Sequence, residues 1–425
     1  MNPPESYLNR SALDTKGTWN RRQFLGGALT LGMAGSSLAA VSSLAAESTP
    51  ADSKPAEYPR KIKLGVVGNG GRGAWIAKLF QRHGGYEMHA VADYFQAVAD
   101  KCGDELGVDK ARRFSGLSGC QRLLESGVEA VALETPPYFF PEYARAAVAA
   151  GRHVYMAKPV AVDVPGALEI LAAGKKASEK KQCFLVDYQL PTDPHNVEIV
   201  KMIGAGEIGK PAIITSRYFG GAWPDPPRTA TLESRFQRLI WCNDVALGGS
   251  HHVNACIHAI DSVLWVMGKR PASAVGFSRI VREDPHSDSH DVLAVSYTFA
   301  DGGAWDHCGR HLNNLYPFEC GALIHGTTGF AQVAYEGRVR LQGRENAYSG
   351  EVVNLYEAGA MRNIADFYRN ITAGRFENGT VPRAVDGALT TILSREATMR
   401  GTRLAMDDLI KENRRLEVDL KGLKS

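Results

Sequence analysis

A glycine-rich turn between a short strand and a helix constrains the fold of this chain more than any other feature. Residues 61–67 are a largely apolar, β-branched run, typical of a buried parallel strand. Gly68, Gly70 and Gly73 follow at once, and residues 74–80 continue at helical period. In such a unit the glycines permit a tight turn, a close approach of backbone amides to a pyrophosphate, and packing of the helix on the strand. The pattern predicts a dinucleotide-binding domain.

An acidic residue stands where such domains hold the adenosine ribose. Residues 87–92 predict a second strand, and Asp93 ends it, twenty residues beyond Gly73. Its carboxylate can accept hydrogen bonds from both ribose hydroxyls and repels a 2′-phosphate, so NAD is expected rather than NADP. Arg72, in the turn, is expected to contact a phosphate or solvent.

The alternation of strands and helices continues to about Tyr188. Further strand signals lie at residues 130–133, 153–156 and 184–186, with helical signals at 138–150 and 165–180. This order predicts a doubly wound parallel sheet of about six strands.

The pattern then changes to longer alternating strands with hairpin turns at residues 301–303 and 327–329. The predicted fold class is therefore α/β: an N-terminal Rossmann domain, then an α+β domain with an open, mainly antiparallel sheet. The predicted segments are a signal peptide (1–46), a linker (47–60), the NAD-binding domain (61–188), a substrate and oligomerisation domain (189–359), and C-terminal helices that pack back on the first domain (360–425).

The first residues resemble a twin-arginine export signal. Arg21 and Arg22 precede Phe24 and a mildly apolar, Gly/Ala/Ser-rich stretch at residues 26–44. The alternatives are a chance basic pair before a buried helix, and a spanning helix, which the glycine and serine content disfavours. We expect cleavage within residues 40–46, a periplasmic or otherwise exported protein, contact with the twin-arginine export machinery, and a cofactor that is tightly held.

Charge and cysteine usage exclude several classes of protein. Lys+Arg 49 against Asp+Glu 46 leaves a net charge of +3, too weak for a nucleic-acid or anionic-membrane binder. No stable membrane anchor is expected. The seven cysteines are odd in number and form no C-x-x-C pair, so zinc-knuckle and thioredoxin sites are not predicted. Most are expected to be buried, and one disulfide stays open as an alternative.

Four segments now stand in order along the chain: the glycine turn with Asp93, the run Glu134-Thr135-Pro136-Pro137, the run Tyr155-Met156-Ala157-Lys158-Pro159, and residues 254–261 (NACIHAID). Together they resemble the glucose–fructose oxidoreductase, inositol dehydrogenase and rhizopine-catabolism (Gfo/Idh/MocA) family over most of residues 61–400.

The resemblance implies roles by position. A Glu-Lys-Pro motif places a lysine beside the nicotinamide and the reacting hydroxyl; Lys158 matches it, with Ala157 in place of the glutamate. An Asp-x-Gly-x-His-x-x-Asp helix supplies a catalytic histidine, matched by His258 and Asp261, whereas the first Asp is Asn254 here. These departures indicate a divergent, exported branch. The expected cofactor-binding residues are Gly68, Asn69, Gly70, Gly71, Arg72, Gly73, Asp93, Thr135, Pro136 and Lys158.

The chemistry of the residues supports these roles. Oxidation of a carbinol requires removal of the hydroxyl proton, so a base with a pKa near neutrality is needed. His258 meets that need unperturbed. Lys158 can act through a depressed pKa or by polarising the developing oxyanion. Asp261 either orients the His258 imidazole from one turn away or serves as a structural cap or ion pair.

Other polar and aromatic residues suit a sugar ring or a metal. His251, His252 and His258 suggest a metal, but the first two are adjacent and point to different faces, and no third ligand is evident, so none is expected. Aromatic faces and bidentate polar groups can hold a sugar, with loop packing as the alternative. The candidate substrate residues are Tyr188, Gln189, Tyr218, Trp223, Arg235, Trp241, Asp244 and Asn254.

We expect an exported, NAD-dependent oxidoreductase that acts on a carbohydrate or polyol and forms a homo-oligomer through its C-terminal sheet. One alternative is a glycoside-cleaving enzyme on the same scaffold, which oxidises a ring hydroxyl transiently, eliminates the glycosidic substituent, adds water and returns the hydride. A second is a non-catalytic sensor of a sugar or dinucleotide, which the pairing of Lys158 with His258 disfavours.

Overall fold

The computed structural model describes residues 58–226 and 231–425. The predicted export signal lies outside the described residues. Among those described, no helix is both long and apolar enough to cross a membrane.

The first sheet has six parallel strands in the order β3-β2-β1-β4-β5-β6. They are β1 (Ile62–Val67), β2 (Tyr86–Asp93), β3 (Arg113–Ser115), β4 (Ala130–Leu133), β5 (His153–Ala157) and β6 (Phe184–Asp187). The predicted doubly wound sheet is confirmed. Because β1 lies between β2 and β4, the order in which strands are added to the sheet reverses at β1. Ligands of such sheets bind in the crevice beyond the carboxyl ends of the two strands at that point, β1 and β4.

The helices that follow these strands are α1 (Gly71–His83), α2 (Gln96–Leu106), α3 (Gly119–Glu125), α4 (Phe140–Ala149) and α5 (Val164–Glu179). Strands β4 and β6 are buried at every residue, in keeping with the apolar sequence of β4 and of the first three residues of β6. Asp163 caps α5, since its carboxylate accepts the backbone N–H of Gly166 at 2.8 Å. This cap fixes where α5 begins relative to the sheet.

The second sheet has nine strands in the order β14-β13-β12-β11-β7-β10-β9-β8-β15, antiparallel except where β7 pairs with β10. They are β7 (Pro211–Gly220), β8 (Ser273–Arg279), β9 (Val292–Thr298), β10 (Ala304–His311), β11 (Glu319–Gly326), β12 (Phe330–Ala334), β13 (Gly337–Gln342), β14 (Ala347–Val352) and β15 (Leu404–Ala405). Both predicted hairpins are present, between β9 and β10 and between β11 and β12.

The helices of the remaining chain are α6 (Pro194–Gly204), the short α7 (Leu232–Arg235) and α8 (Val245–Gly248), α9 (Ile257–Met267), α10 (Leu355–Ala373), α11 (Thr380–Arg400) and α12 (Met406–Glu412). Of these, α6, α9 and α11 pack against the second sheet. A π-helical turn, His252–Cys256, leads into α9. Along β9 buried and exposed residues alternate, so the opposite face of the sheet is open.

The C-terminal helices return to the first sheet. Phe367 of α10 is fully buried in the cluster that contains Phe80 of α1 and Tyr155 of β5. Helix α11 packs against α5, α9 and β8, and so contacts elements of both sheets. This arrangement explains why helical periodicity returns at the end of the chain.

All seven cysteines are free thiols. Cys308 is exposed and the other six are buried, as the sequence predicted for most of them. The alternative of a disulfide is not realised.

Candidate active site

The glycine turn forms a cradle at the carboxyl end of β1. Gly68 has a φ of +88°, and a Cβ there would lie 2.7 Å from the Glu134 carbonyl oxygen. A Cβ at Gly73 would lie 1.8 Å from the Gly68 oxygen, so a side chain there would force the helix away. At Gly70 a Cβ would meet nothing within 4 Å, which leaves the amide end of α1 open on that side. The turn is therefore shaped to receive a pyrophosphate.

Polar groups around this cradle fit the rest of a dinucleotide. The Asp93 carboxylate accepts the backbone N–H groups of Asn69 at 2.7 Å and Phe95 at 3.0 Å, which fixes it at the end of β2. The Asn69 Oδ1 and Thr135 Oγ1 atoms are buried without a hydrogen-bond partner among the described residues. A buried polar atom without a hydrogen bond destabilises the fold unless a ligand or water supplies that bond. Asn69 and Thr135 therefore fit contacts to a bound cofactor. Gly71 and Pro136 flank the same cradle in the chain.

Arg72 contacts two carboxylates, whereas a contact with phosphate or solvent was expected. Its guanidinium lies 3.2 Å (Nε) from Glu134 Oε2 and 2.5 Å (Nη2) from Asp187 Oδ2. It also donates to the Tyr356 hydroxyl at 2.8 Å and lies over the ring of Trp75. Although burial opposes the charged form, the two carboxylates raise the pKa of Arg72, which stays a cation. Opposite charges, rather than solvent, hold this side chain.

The strand register places these two carboxylates on either side of Ala157. Ala157 pairs with Asp187, and Leu133, the residue before Glu134, pairs with Met156. Glu134 therefore follows β4 beside Ala157. The position of the missing motif glutamate, residue 157, is thus flanked by carboxylates on both neighbouring strands.

Glu134 is the most perturbed acid of this group. Its side chain has no exposed surface, and burial raises its pKa to about 7, although Arg72 opposes that shift. Asp187 is also fully buried, and accepts hydrogen bonds from Asn363 at 2.7 Å and Gln189 at 2.8 Å. Two cations, Arg72 and Lys158, lie near these two acids.

Lys158 follows β5 and reaches into the second domain. Its Nζ donates to the carbonyl of Asn254, in the π-helical turn, at 2.8 Å. Burial lowers its pKa to about 8, and the Arg72 charge adds to the shift. A large neutral fraction is therefore present at mildly alkaline pH, as a general base requires.

His258 lies in the first turn of α9 among aromatic rings. Its ring centroid is 5.2 Å from that of Tyr335 and 6.4 Å from those of Tyr188 and Tyr218. Burial holds the pKa of His258 well below 6.5, and the Lys158 charge adds to the shift. The imidazole is therefore neutral at physiological pH, and the expectation of an unperturbed pKa for His258 is wrong because the ring is buried beside a cation.

Asp261 pairs with Arg383 and not with His258, the partner expected for a catalytic role. Its carboxylate is fully buried and lies 2.9 Å from Arg383 Nε of α11. Burial raises its pKa to about 6, and Arg383 opposes that shift. The structure shows no contact between Asp261 and His258 among the described residues. Aromatic packing, not a carboxylate, orients the imidazole, and of the two roles left open for Asp261 the geometry supports the ion pair.

The predicted substrate residues divide into two groups. Tyr188, Tyr218 and Asn254 lie around His258 and Lys158 as described, and Gln189 donates to Asp187 and accepts from the Tyr335 hydroxyl at 3.1 Å.

The remaining four lie elsewhere. Arg235 and Asp244 form an ion pair of 2.7 Å, and Asp244 also caps α8, so they are structural. Trp223 packs on the stacked rings of His251 and His311. Trp241 lies in the 3-10 turn Ile240–Asn243.

Several site residues were missed because their signals are tertiary. Asp187 directly follows a predicted strand, and that position was a signal for a site residue. Nothing in the sequence places Tyr335 or Tyr356 beside the first domain. The burial of Glu134 also required the strand register.

The comparisons with known proteins agree with this geometry. The sequence matches the oxidoreductase family with an NAD-binding Rossmann fold over residues 62–188 and the GFO/IDH/MocA C-terminal domain over residues 197–332. It is 25% identical over 274 residues to a Bacillus subtilis protein named scyllo-inositol 2-dehydrogenase (NAD(+)), covering 63% of this chain and 72% of that one.

Solved structures share the fold. Myo-inositol 2-dehydrogenase from Lactobacillus plantarum superposes with a TM-score of 0.64 at 18% identity, over 81% of this chain and 99% of that one. Levoglucosan dehydrogenase in complex with NADH and L-sorbose gives a TM-score of 0.68 at 16% identity, over 82% and 100%. On the two domain matches and the glycine cradle with Asp93, the chain belongs to the Gfo/Idh/MocA family of NAD-dependent oxidoreductases.

Proposed function

We propose that this protein oxidises a secondary hydroxyl of a carbohydrate or polyol, with Lys158 and His258 managing the hydroxyl proton, and that it does so after export. Bound NAD supplies the hydride acceptor. The observation that carries the proposal is the meeting of two bases from two domains: the Lys158 ammonium donates to the carbonyl of residue 254, one turn before His258.

The proton balance follows from these groups. Neutral His258 or neutral Lys158 accepts the hydroxyl proton as the carbon loses its hydrogen with the electron pair, and the alcohol becomes a ketone. When His258 accepts the proton, the Lys158 ammonium stabilises the oxygen as its negative charge develops. Arg72 pairs with Glu134 and Asp187 and offsets part of their negative charge beside Lys158.

A carbohydrate or polyol fits the walls of the site. The rings of Tyr188, Tyr218 and Tyr335 surround His258, and the Tyr188 hydroxyl is buried without a partner among the described residues. Aromatic faces pack on the C–H faces of a ring while hydroxyl groups bind its oxygens. The relatives named for inositol and levoglucosan support this substrate class.

The test is single-turnover reduction of bound NAD by a panel of sugars and polyols. We expect Lys158→Ala and His258→Ala each to lower the rate by about two to four orders of magnitude, with a double variant far from additive, since both groups serve one proton. Cofactor occupancy should stay unchanged. His325→Ala is the matched control, because that histidine is exposed on the second sheet.

Near-normal reduction by His258→Ala would contradict the proposal. Cleavage of glycosides without net NADH accumulation would instead support the oxidation–elimination cycle on the same residues.

A further inference from the structure

A second group of buried titratable side chains lies outside the site just described. It consists of His252 and Cys256, at the two ends of the π-helical turn, and His307 of β10. One ring nitrogen of each histidine and the Cys256 Sγ lie within 4.8 Å of one another. Three atoms so spaced have a common centre within about 2.8 Å of each, so shifts below about 1 Å bring them to the 2.0–2.3 Å of metal–nitrogen and metal–sulfur bonds.

Two ring nitrogens of this group are free. Ser394 Oγ holds His252 Nε2 at 2.5 Å, and Ser216 Oγ holds His307 Nδ1 at 2.8 Å. The other nitrogens, His252 Nδ1 and His307 Nε2, have no hydrogen-bond partner among the described residues. These two histidines are only 4% and 0% exposed, so the free nitrogens are costly. Metal-binding histidines are held in the same way, by a hydrogen bond to the nitrogen that does not bind the metal.

The charge around the group selects the ion. The set offers two neutral imidazoles and one thiol, but no carboxylate. Arg395, buried beside His252, is paired with Glu396 at 3.0 Å and so adds no net charge. A monovalent ion bound to a Cys256 thiolate is neutral overall, whereas a divalent ion would leave a net positive charge in a buried site that offers no carboxylate. Thiolate and imidazole are suitable ligands for Cu⁺.

A narrow cavity gives His252 access from outside. It is lined by Ser250, His252, Ser278, His290, Leu293, Arg395, Thr398 and Met399. Met399, which is 46% exposed, and His290 are both among its lining residues. Both are groups that Cu⁺ binds, and they suit its transfer to an interior site.

We propose that His252, Cys256 and His307 form a three-coordinate Cu⁺ site. Binding replaces the S–H bond of Cys256 by a Cu–S bond and releases one proton to solvent, with no change in oxidation state. The ion joins the π-helical turn to β10, and through Ser394 to α11. Because that turn carries the Asn254 carbonyl that accepts from Lys158, the site fixes the segment that meets the cofactor domain.

The experiment is anaerobic titration of the purified full chain with Cu⁺ against a bicinchoninate competitor, together with thermal unfolding. We expect one Cu⁺ per chain and a raised Tm for the wild type. Cys256→Ser and His307→Gln should bind at least about 100-fold more weakly. Cys308→Ser is the matched control, since this exposed thiol is adjacent to His307 in β10, and it should bind as the wild type does.

X-ray absorption of the loaded wild type makes the test independent of how the variants fold, and should show one sulfur and two nitrogen ligands. Failure of the wild type to compete, or equal binding by Cys256→Ser and Cys308→Ser, would overturn the proposal. Stoichiometric binding of Zn²⁺ but not Cu⁺ would overturn the assignment of a monovalent ion.

Discussion

The Nη2 atom of Arg72 lies 2.5 Å from Oδ2 of Asp187, which ties the glycine turn after the first strand of the Rossmann sheet to the end of its last strand. The same guanidinium reaches Glu134 on the other side of Ala157. This pairing places one guanidinium against two buried acids beside Lys158, so it contributes to the charge that Lys158 experiences.

Removing Arg72 and removing the charge of Glu134 are expected to shift the kcat–pH profile in opposite directions. Lys158 has its pKa lowered to about 8, and its neutral form increases as the pH rises through that value. Arg72→Ala removes a cation, raises the pKa of Lys158 and moves the rising limb of the kcat–pH profile upward, by on the order of one pH unit. Glu134→Gln removes an anion and moves the limb downward.

Steady-state kinetics between pH 6 and about 10 measures both shifts. Arg235→Ala is the control, because it removes a guanidinium from the separate pair with Asp244. Shifts of the same sign in both variants would show that Lys158 is not the group that titrates.

The choice of cofactor is expected to depend on Asp93. Its carboxylate is held by two backbone N–H groups, so it presents a fixed negative charge at the end of β2. Asp93→Ala should increase the ratio of kcat/KM for NADP to that for NAD by tenfold or more, on the order of a few kcal/mol of relieved repulsion. An unchanged ratio would mean that another group excludes the 2′-phosphate.

The ion pair between Asp261 and Arg383 is expected to act on stability rather than on chemistry. Arg383→Leu leaves a buried carboxylate unpaired and should cost about 3–5 kcal/mol at neutral pH. The folded-state pKa of Asp261, already raised to about 6, rises further, so protonation relieves the loss as the pH falls towards 5. Urea unfolding at both pH values measures this.

Adding Asp261→Asn to that variant should recover much of the loss at neutral pH. If Arg383→Leu instead left stability unchanged and slowed hydride transfer, Asp261 would be acting on His258.

The open face of the second sheet is expected to form a homo-oligomer. Phe277 is 77% exposed on β8, and Ile213 on β7 is 44% exposed on the same face. Phe277→Asp should reduce the mass measured by light scattering. Val353→Asp, which changes an equally exposed apolar residue just beyond β14, should not. A monomeric wild type would contradict the expectation.

Export is expected to depend on Arg21 and Arg22. Replacing both with lysine keeps the charge but removes the paired guanidinium groups of the signal, so the precursor should accumulate in the cytoplasm. Fractionation and immunoblotting measure the distribution, with Arg10→Lys as the control. Unchanged delivery of the double variant would show that the leader has another role.

The sequence by itself determined the local chemistry of the first domain. Strand, glycine turn, helix and Asp93 are contiguous in the chain, and their roles follow from backbone geometry within about thirty residues. Lys158 and His258 were identified from the resemblance of short motifs to those of a known family. The doubly wound parallel sheet also followed, because alternating strands and helices allow few topologies.

Only the tertiary structure decided which side chains pair. Arg72 meets Asp187 across 115 positions of sequence, and Asp261 meets Arg383 from a different helix. The third member of the histidine–cysteine group, His307, comes from a strand that sequence spacing does not connect to His252. Ion pairs and ligand sets depend on register and packing between distant elements, and local patterns carry no information about either.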